Sequence, residues 1–225
     1  MIYSIHQTST PPALDADWNS ASWQKSEVLT VSHFRPESSD HRPLVQARLI
    51  CDGTSLHGIF HVSDRYVRCV RTRYFDEVWK DSCVEFFIEP VAGGGYFNFE
   101  FNCGGAHLCN YITDPRRVEG GFARAEKLPS EIGKRVTVRS TLPQVVDPER
   151  TEPTEWSLQF RIPFDVLEHY TGKLGNPAGR TWRGNFFKCA EEVSHPHWAS
   201  WASVDEFNFH LPRCFGTLRF STGEQ

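Results

Sequence analysis

The stretch Tyr96-Phe97-Asn98-Phe99-Glu100-Phe101-Asn102 decides the fold. Apolar and polar residues alternate with a period of two, the pattern of a strand with one buried face. Phe97, Phe99 and Phe101 fall on one face; Asn98, Glu100 and Asn102 fall on the other. The preceding run, Ser82 to Glu89, is also strand-like and ends at Pro90. It sets Val84, Phe86 and Ile88 against Glu85 and Phe87. Gly93-Gly94-Gly95 makes the connection short, so the two strands are expected to be neighbours. Glu85 would then join Asn98 and Glu100 on one polar carpet. A stiff sheet with amides and carboxylates in a row suits a ligand covered in hydroxyls, each of which donates and accepts. An ordinary solvated sheet face would show the same pattern.

The period of two continues outward. Val45 to Cys51 alternates, Asp52-Gly53 turns, and Ser55 to Val62 runs extended, a hairpin signal. Further strands are expected at 107–112, 121–127, 135–142, 155–162, 182–190, 198–203 and 215–220. Only Pro163 to Tyr170 reads as a helix, with Pro in its first turn. The stretches 35–43 and 143–154 read as surface loops. Many short strands separated by turn signals predict one all-β domain over 1–225. The expected form is an antiparallel, jelly-roll-like β-sandwich of two sheets with one short helix. Trp156 alternates with Leu158 and Phe160 and is expected in the core. Trp18 and Trp23 are expected to plug one edge.

Composition narrows the function classes. The chain has 225 residues, of which 30 are aromatic and only Met1 is methionine. Such a chain with moderate charge is not a disordered one. The net charge of −4 offers no basic field for nucleic acid. No apolar run is long enough for a membrane-spanning helix. Seven Cys occur, an odd number with no C-x-x-C pair, so buried free thiols are expected rather than a zinc site or disulfide scaffold. That set suits a reducing compartment. The first residues lack a basic segment followed by an apolar core, so cytoplasmic localisation is the expectation, or secretion if a leader was removed.

Trp79 sharpens the reading of the polar face. It lies in a polar loop, Glu77-Val78-Trp79-Lys80-Asp81-Ser82, just before the strand that carries Glu85. A Trp there is hard to explain as core. Aromatic faces beside hydrogen-bonding groups grip sugars: the ring stacks on C–H groups and polar atoms fix the hydroxyls.

Four stretches, in order, carry a family likeness. They are Leu14 to Trp23, Trp79 to Glu89, Tyr96 to Asn102, and a tail of Ser200-Trp201 followed by Phe209 to Phe220. With these the chain resembles the family 9 carbohydrate-binding modules. The resemblance implies a two-sheet sandwich that holds a glycan end between two aromatic rings. Trp79 matches the first ring, and Phe209, with His210 beside it, stands where the second is normally a Trp. Glu85 matches a polar ligand contact, while Asn98 and Glu100 occupy the places of an Arg and an Asn. Lys188 is expected to reach the same face. The resemblance also implies mono-, oligo- or polysaccharide ligands, a role in polysaccharide breakdown beside a glycoside hydrolase, no required cofactor, and structural calcium as an option. Asp64 and Asp76 are the conceivable calcium ligands, although no dense run of oxygen ligands marks a site.

Three other readings compete. Glu85 and Glu100 could form a glycosidase pair. The sandwich could serve as an interaction module without a sugar. His195 and His197 could suggest a metal, but no third ligand lies near them in sequence. No nucleophile elbow or phosphate-cradling loop is present.

Overall fold

The computed structural model describes residues 1–224. The alternating runs form sixteen strands among them. In chain order these are β1 (Ile2–Gln7), β2 (Leu29–Thr30), β3 (His33–Phe34), β4 (Leu44–Cys51), β5 (Ser55–Asp64), β6 (Val67–Cys69), β7 (Cys83–Glu89) and β8 (Tyr96–Asn102). The second half holds β9 (His107–Val118), β10 (Gly121–Lys127), β11 (Thr137–Ser140), β12 (Val146–Arg150), β13 (Thr154–Pro163), β14 (Thr181–Ala190), β15 (His197–Ser200) and β16 (Gly216–Glu224).

The strands form two layers. The front layer runs β10-β9-β8-β7-β14 and continues through β15 to β3. The back layer runs β16-β1-β4-β5-β13-β11, with β2 also on β4. The layers are joined along β14. Its residues Thr181 to Gly184 pair with β16, and residues Phe187 to Ala190 on the same edge pair with β15. Hydrogen bonding therefore passes from one layer to the other, which leaves fewer open edges than two separate sheets would. Most pairs are antiparallel, as expected. β1 departs from this, running parallel to both β16 and β4.

The core lies between the layers and is built from the phenylalanines of the alternating strands. Phe160 of the back layer stacks on Phe101 at 5.1 Å and on Phe86 at 5.7 Å in the front layer. Phe60 meets Phe186 edge-on at 6.0 Å. Trp156 is buried in this core, in keeping with its alternation. Gly58 of β5 faces Phe160 in register. A Cβ there would lie 2.1 Å from Phe160 Cζ, so the ring occupies the space a side chain would need. Gly58→Ala is expected to lower the unfolding free energy by about 1–3 kcal/mol or more through overpacking. The denaturant midpoint should fall with an unchanged slope.

Three expectations need correction. The stretch 143–154 contains β12, which pairs with β6. Its segment Val146 to Arg150 is mostly polar, so periodicity does not reveal it. The helix expected near 163–170 is α3, formed by Phe164–Thr171, and is joined by two one-turn helices, α1 (Ala21–Gln24) and α2 (Ser130–Gly133). Trp23 does not plug an edge: it is fully buried against Ile50 and Ile59 on the outer face of the back layer. Trp18 packs on the same face, stacked on His61 at 5.3 Å. The expectation of buried free thiols holds: all seven cysteines are free, six are buried and Cys214 is half-buried.

Candidate functional site

The outer face of the front layer carries the polar residues of the alternating strands. Glu85 lies directly opposite Glu100, and Asn98 lies between Phe87 and Asn110 across its two neighbours. Part of this face is apolar. Phe87, Tyr96 and Phe187 are covered by Val204, Leu211 and Phe215 of the segment between β15 and β16. Asn185 pins the start of that segment, donating to Ala202 O and accepting from Ala202 N, both at 2.9 Å. Beside the covered patch a cleft of about 1030 Å³ remains open. Its floor includes Glu85, Asn98, Glu100, Asn110, Leu108 and Cys189.

Aromatic rings surround this floor. Phe75 and Trp79 come from the segment before β7, and Trp198 comes from β15. Phe207 and Phe209 come from the covering segment, and Phe122 from β10. Phe209 lies flat on Phe187, with ring centroids 4.2 Å apart. Phe207 is 53% exposed and meets Trp198 edge-on at 4.9 Å. Exposing that much of a large apolar ring beside a cleft is costly unless something covers it.

The backbone around Trp79 is held by the residues that follow it. Trp79 sits in a single 3-10 turn whose neighbour Val78 is fully buried. Asp81, also fully buried, accepts hydrogen bonds from Arg71 N, Arg71 Nη1 and Asn102 Nδ2 at 3.0, 2.9 and 2.9 Å. Ser82 N donates to Arg68 O, and Cys103 N donates to Ser82 O. The Trp-Lys-Asp-Ser run is thus a ring on a latched turn, and the latch lets a half-buried indole present a fixed face.

The floor carboxyls sit in low dielectric. Glu85 and Glu100 are 3% and 5% exposed. Burial, then the neighbouring Cys189 and Glu100, push the Glu85 carboxyl well above its usual range. Burial raises Glu100 to about 7, against the pull of the Asn98 hydrogen bond and of Arg117. Asn98 Nδ2 donates to Glu100 Oε1 at 2.7 Å, and Asn98 Oδ1 accepts from Asn110 N at 2.7 Å. Asn98 therefore orients Glu100 and ties β8 to β9. His210 Nδ1 lies 2.9 Å from the Tyr96 hydroxyl, and burial pushes its imidazole down to about 3. Arg117 lies over the Phe122 ring at 4.1 Å and brings a cation to the cleft.

Of the residues singled out in the sequence, Trp79, Glu85, Asn98, Glu100, Phe209 and His210 all line this one cleft. Lys188 does not. It pairs with Val84, a core-facing residue, and so points into the sandwich rather than toward Glu85. There its ammonium lies 2.8 Å from His197 Nε2 and 3.5 Å from Asp64 Oδ2. Asp64 is thus the partner of Lys188 and His41, and Asp76 pairs with Arg73. Neither belongs to a cluster of three His, Cys, Asp or Glu ligand atoms among the described residues. His195 stacks on Tyr66 at 3.7 Å, apart from the Lys188 contact of His197. Sequence reasoning missed Trp198, Phe207, Phe122, Asn110 and Arg117. Trp198 had a readable signal, since it follows His195-Pro196-His197 in a polar stretch as Trp79 follows Glu77-Val78. The others depend on how distant segments fold over the face.

A sequence profile described as Carbohydrate-binding family 9 matches residues 16–220. The chain belongs to that family. Family 9 membership accounts for the ordered motifs and for the sandwich that carries the cleft. A solved structure from Bacteroides uniformis ATCC 8492, of a protein proposed to bind carbohydrate, is 26% identical. It covers 98% of this chain and 99% of its own, with a TM-score of 0.81. A family 9 module from Caldicellulosiruptor kristjanssonii, solved in complex with cellotriose, is 12% identical over 100% of this chain and 96% of its own, at TM-score 0.67. The same organism's module in complex with glucose is 12% identical over 99% and 97%, at TM-score 0.63. At that identity the likeness is one of fold. No curated protein matches the chain.

Proposed function

We propose that the cleft binds a glycan end without chemical change, with Trp79 and Phe209 flanking a sugar ring over Glu85, Asn98 and Glu100. The observation that carries this is the combination of aromatic rings and hydrogen-bonding groups around one open cleft in a family 9 chain. Sugar rings offer C–H faces to aromatic rings and hydroxyls to carboxyls and amides. A carboxyl that keeps its proton is a hydrogen-bond donor as well as an acceptor, so the Glu85–Glu100 pair can match a hydroxyl in either direction. The cellotriose and glucose complexes of the Caldicellulosiruptor kristjanssonii module support a β-linked glucan or its end as the first ligand to test. The Trp198–Phe207 pair extends the aromatic surface for a second sugar unit, and the buried His210 backs the cleft wall. The biological role we assign is adhesion to polysaccharide during its breakdown, beside a separate glycoside hydrolase.

A glycan array followed by calorimetry with glucose and cellotriose tests this reading. Binding is expected for at least one hydroxyl-rich glycan, and silence across the array with the fold intact would favour an interaction module instead. A second reading, glycoside hydrolysis by Glu85 and Glu100, draws on one observation: the two buried carboxyls have raised proton affinity. Against it, direct neighbours on one sheet face lie side by side in the floor, whereas the glycosidase acid and its partner flank the scissile bond. Aryl glycosides should not be turned over by the wild type. Turnover that disappears in Glu85→Gln would reverse the assignment.

A further inference from the structure

We propose that Cys83, Glu85 and Cys189 form a binding site for a thiophilic divalent cation of the Zn²⁺ type, set into the floor of the cleft. No two of these residues look like a metal motif in the sequence. The sheet brings them together. Cys83 and Glu85 are two apart on β7, so strand alternation sends both side chains to the cleft face. Cys189 of β14 lies directly opposite Cys83 in the antiparallel register. The two Sγ atoms and one Glu85 carboxylate oxygen all lie within 4.8 Å of one another. Glu85 Oε1 is 3.1 Å from Cys189 Sγ. Tetrahedral Zn²⁺ takes Zn–S distances of about 2.3 Å and Zn–O distances of about 2.0–2.2 Å, so its ligand atoms stand roughly 3.5–3.8 Å apart. Small side-chain rotations suffice to reach that spacing.

The donor set also has the right character. Two thiolates and one carboxylate suit a borderline-soft ion and disfavour the hard Ca²⁺ and Mg²⁺, which take oxygen ligands. All three side chains are buried and carried by central strands, so the backbone is rigid. Glu85 and Cys189 face the cleft, and three protein ligands leave the fourth tetrahedral position open toward it. A water or a sugar hydroxyl fits there.

Without metal the three groups hold protons, because burial and their mutual proximity oppose ionisation. Binding breaks the S–H bonds of Cys83 and Cys189 and the O–H bond of Glu85, forms two metal–sulfur bonds and one metal–oxygen bond, and releases three protons to solvent. No electrons move. Two further carboxyls bear on this site, Glu100 on β8 and Glu191 at the rim, along with the Lys188 ammonium behind β14, which is itself paired with Asp64. The ligands leave a bound divalent ion with one surplus negative charge, which Lys188 partly offsets.

Titration of the reduced, metal-free protein with Co²⁺, without sugar, tests the site independently of the glycan reading. The expected result is saturation at one equivalent, with the intense visible bands of tetrahedral cobalt and a near-ultraviolet thiolate charge-transfer band. Zn²⁺ should bleach both. Cys83→Ser and Cys189→Ala should each lose the charge-transfer intensity, while Cys109→Ser keeps it. Circular dichroism checks that each variant is folded, and Glu85→Gln serves as the ligand-loss variant if a cysteine variant does not fold. Weak octahedral absorption only, or bands that persist in Cys83→Ser or Glu85→Gln, would overturn the proposal.

Discussion

Lys188→Met is expected to lower the unfolding free energy by about 3–5 kcal/mol, the usual cost of stranding one member of a buried ion pair. The glycan affinity of the folded protein should stay within about twofold, because a twofold change is only about 0.4 kcal/mol by the affinity relation. Lys188 and Asp64 both have fully buried side chains. The ammonium is held by Asp64, by His197 Nε2 at 2.8 Å and by Cys189 O at 3.1 Å. Burial pushes the Asp64 carboxyl up, but Lys188, the His41 hydrogen bond and His197 together hold it below its usual range. Removing the ammonium leaves a carboxylate in a dry interior with His41 as its main partner. The double variant Asp64→Asn/Lys188→Met should recover part of the loss, since neutralising both partners removes the orphaned charge. Chemical denaturation of the two variants beside calorimetry on the folded protein provides the check. A large loss of glycan affinity in Lys188→Met would return this residue to the cleft.

The same cluster predicts an acid response. Burial, reinforced by the Lys188 charge, pushes His197 from its ordinary 6.5 to about 3. The neutral ring accepts from Lys188 at Nε2 and donates from Nδ1 to His195 O at 2.8 Å. An unfolded chain protonates this histidine below 6.5 while the folded chain does not until about 3. Its contribution is therefore full above 6.5 and is lost as pH falls through that window. His197→Asn should show a shallower loss of stability over the same range than the wild type in denaturant titrations. Equal slopes would remove His197 from the account.

Trp79→Ala is expected to weaken glycan binding by at least about 30-fold, corresponding to the roughly 2 kcal/mol carried by a stacked hot-spot ring. Stability should change little by comparison. The indole is half-buried, and the turn beneath it is held by Val78 and Asp81 rather than by the ring. Trp79→Phe should retain part of the affinity, because a smaller ring still stacks. Phe209→Ala should behave differently and lose both affinity and stability, since that ring also lies on Phe187. Calorimetry with the best array ligand separates these outcomes. Wild-type affinity in Trp79→Ala would sink the aromatic-clamp account.

Much of the site was legible in the sequence because strands convert spacing into direction. Glu85, Asn98 and Glu100 could be assigned to one face from parity alone, given that β7 and β8 are neighbours. Phe87 was also legible as an anomaly, an apolar residue on a polar face. The structure explains it through the segment from Val204 to Phe215 that covers this part of the sheet. Lys188 was misplaced by one step of parity. It alternates with Phe187 and Cys189, and the register of β14 on β7 turns those two, not Lys188, toward the cleft.

By itself the sequence determined the strand periodicity, the phenylalanine core, the Asp52-Gly53 hairpin and the family likeness, because each depends on residues close together along the chain or on ordered motifs. Tertiary structure alone decided what pairs across distance. It set Cys189 opposite Cys83, buried Lys188 on Asp64, and folded Phe207 against Trp198 at the cleft. Those outcomes depend on strand register and on where a long segment lands, and a one-residue slip in register would reverse every side chain involved.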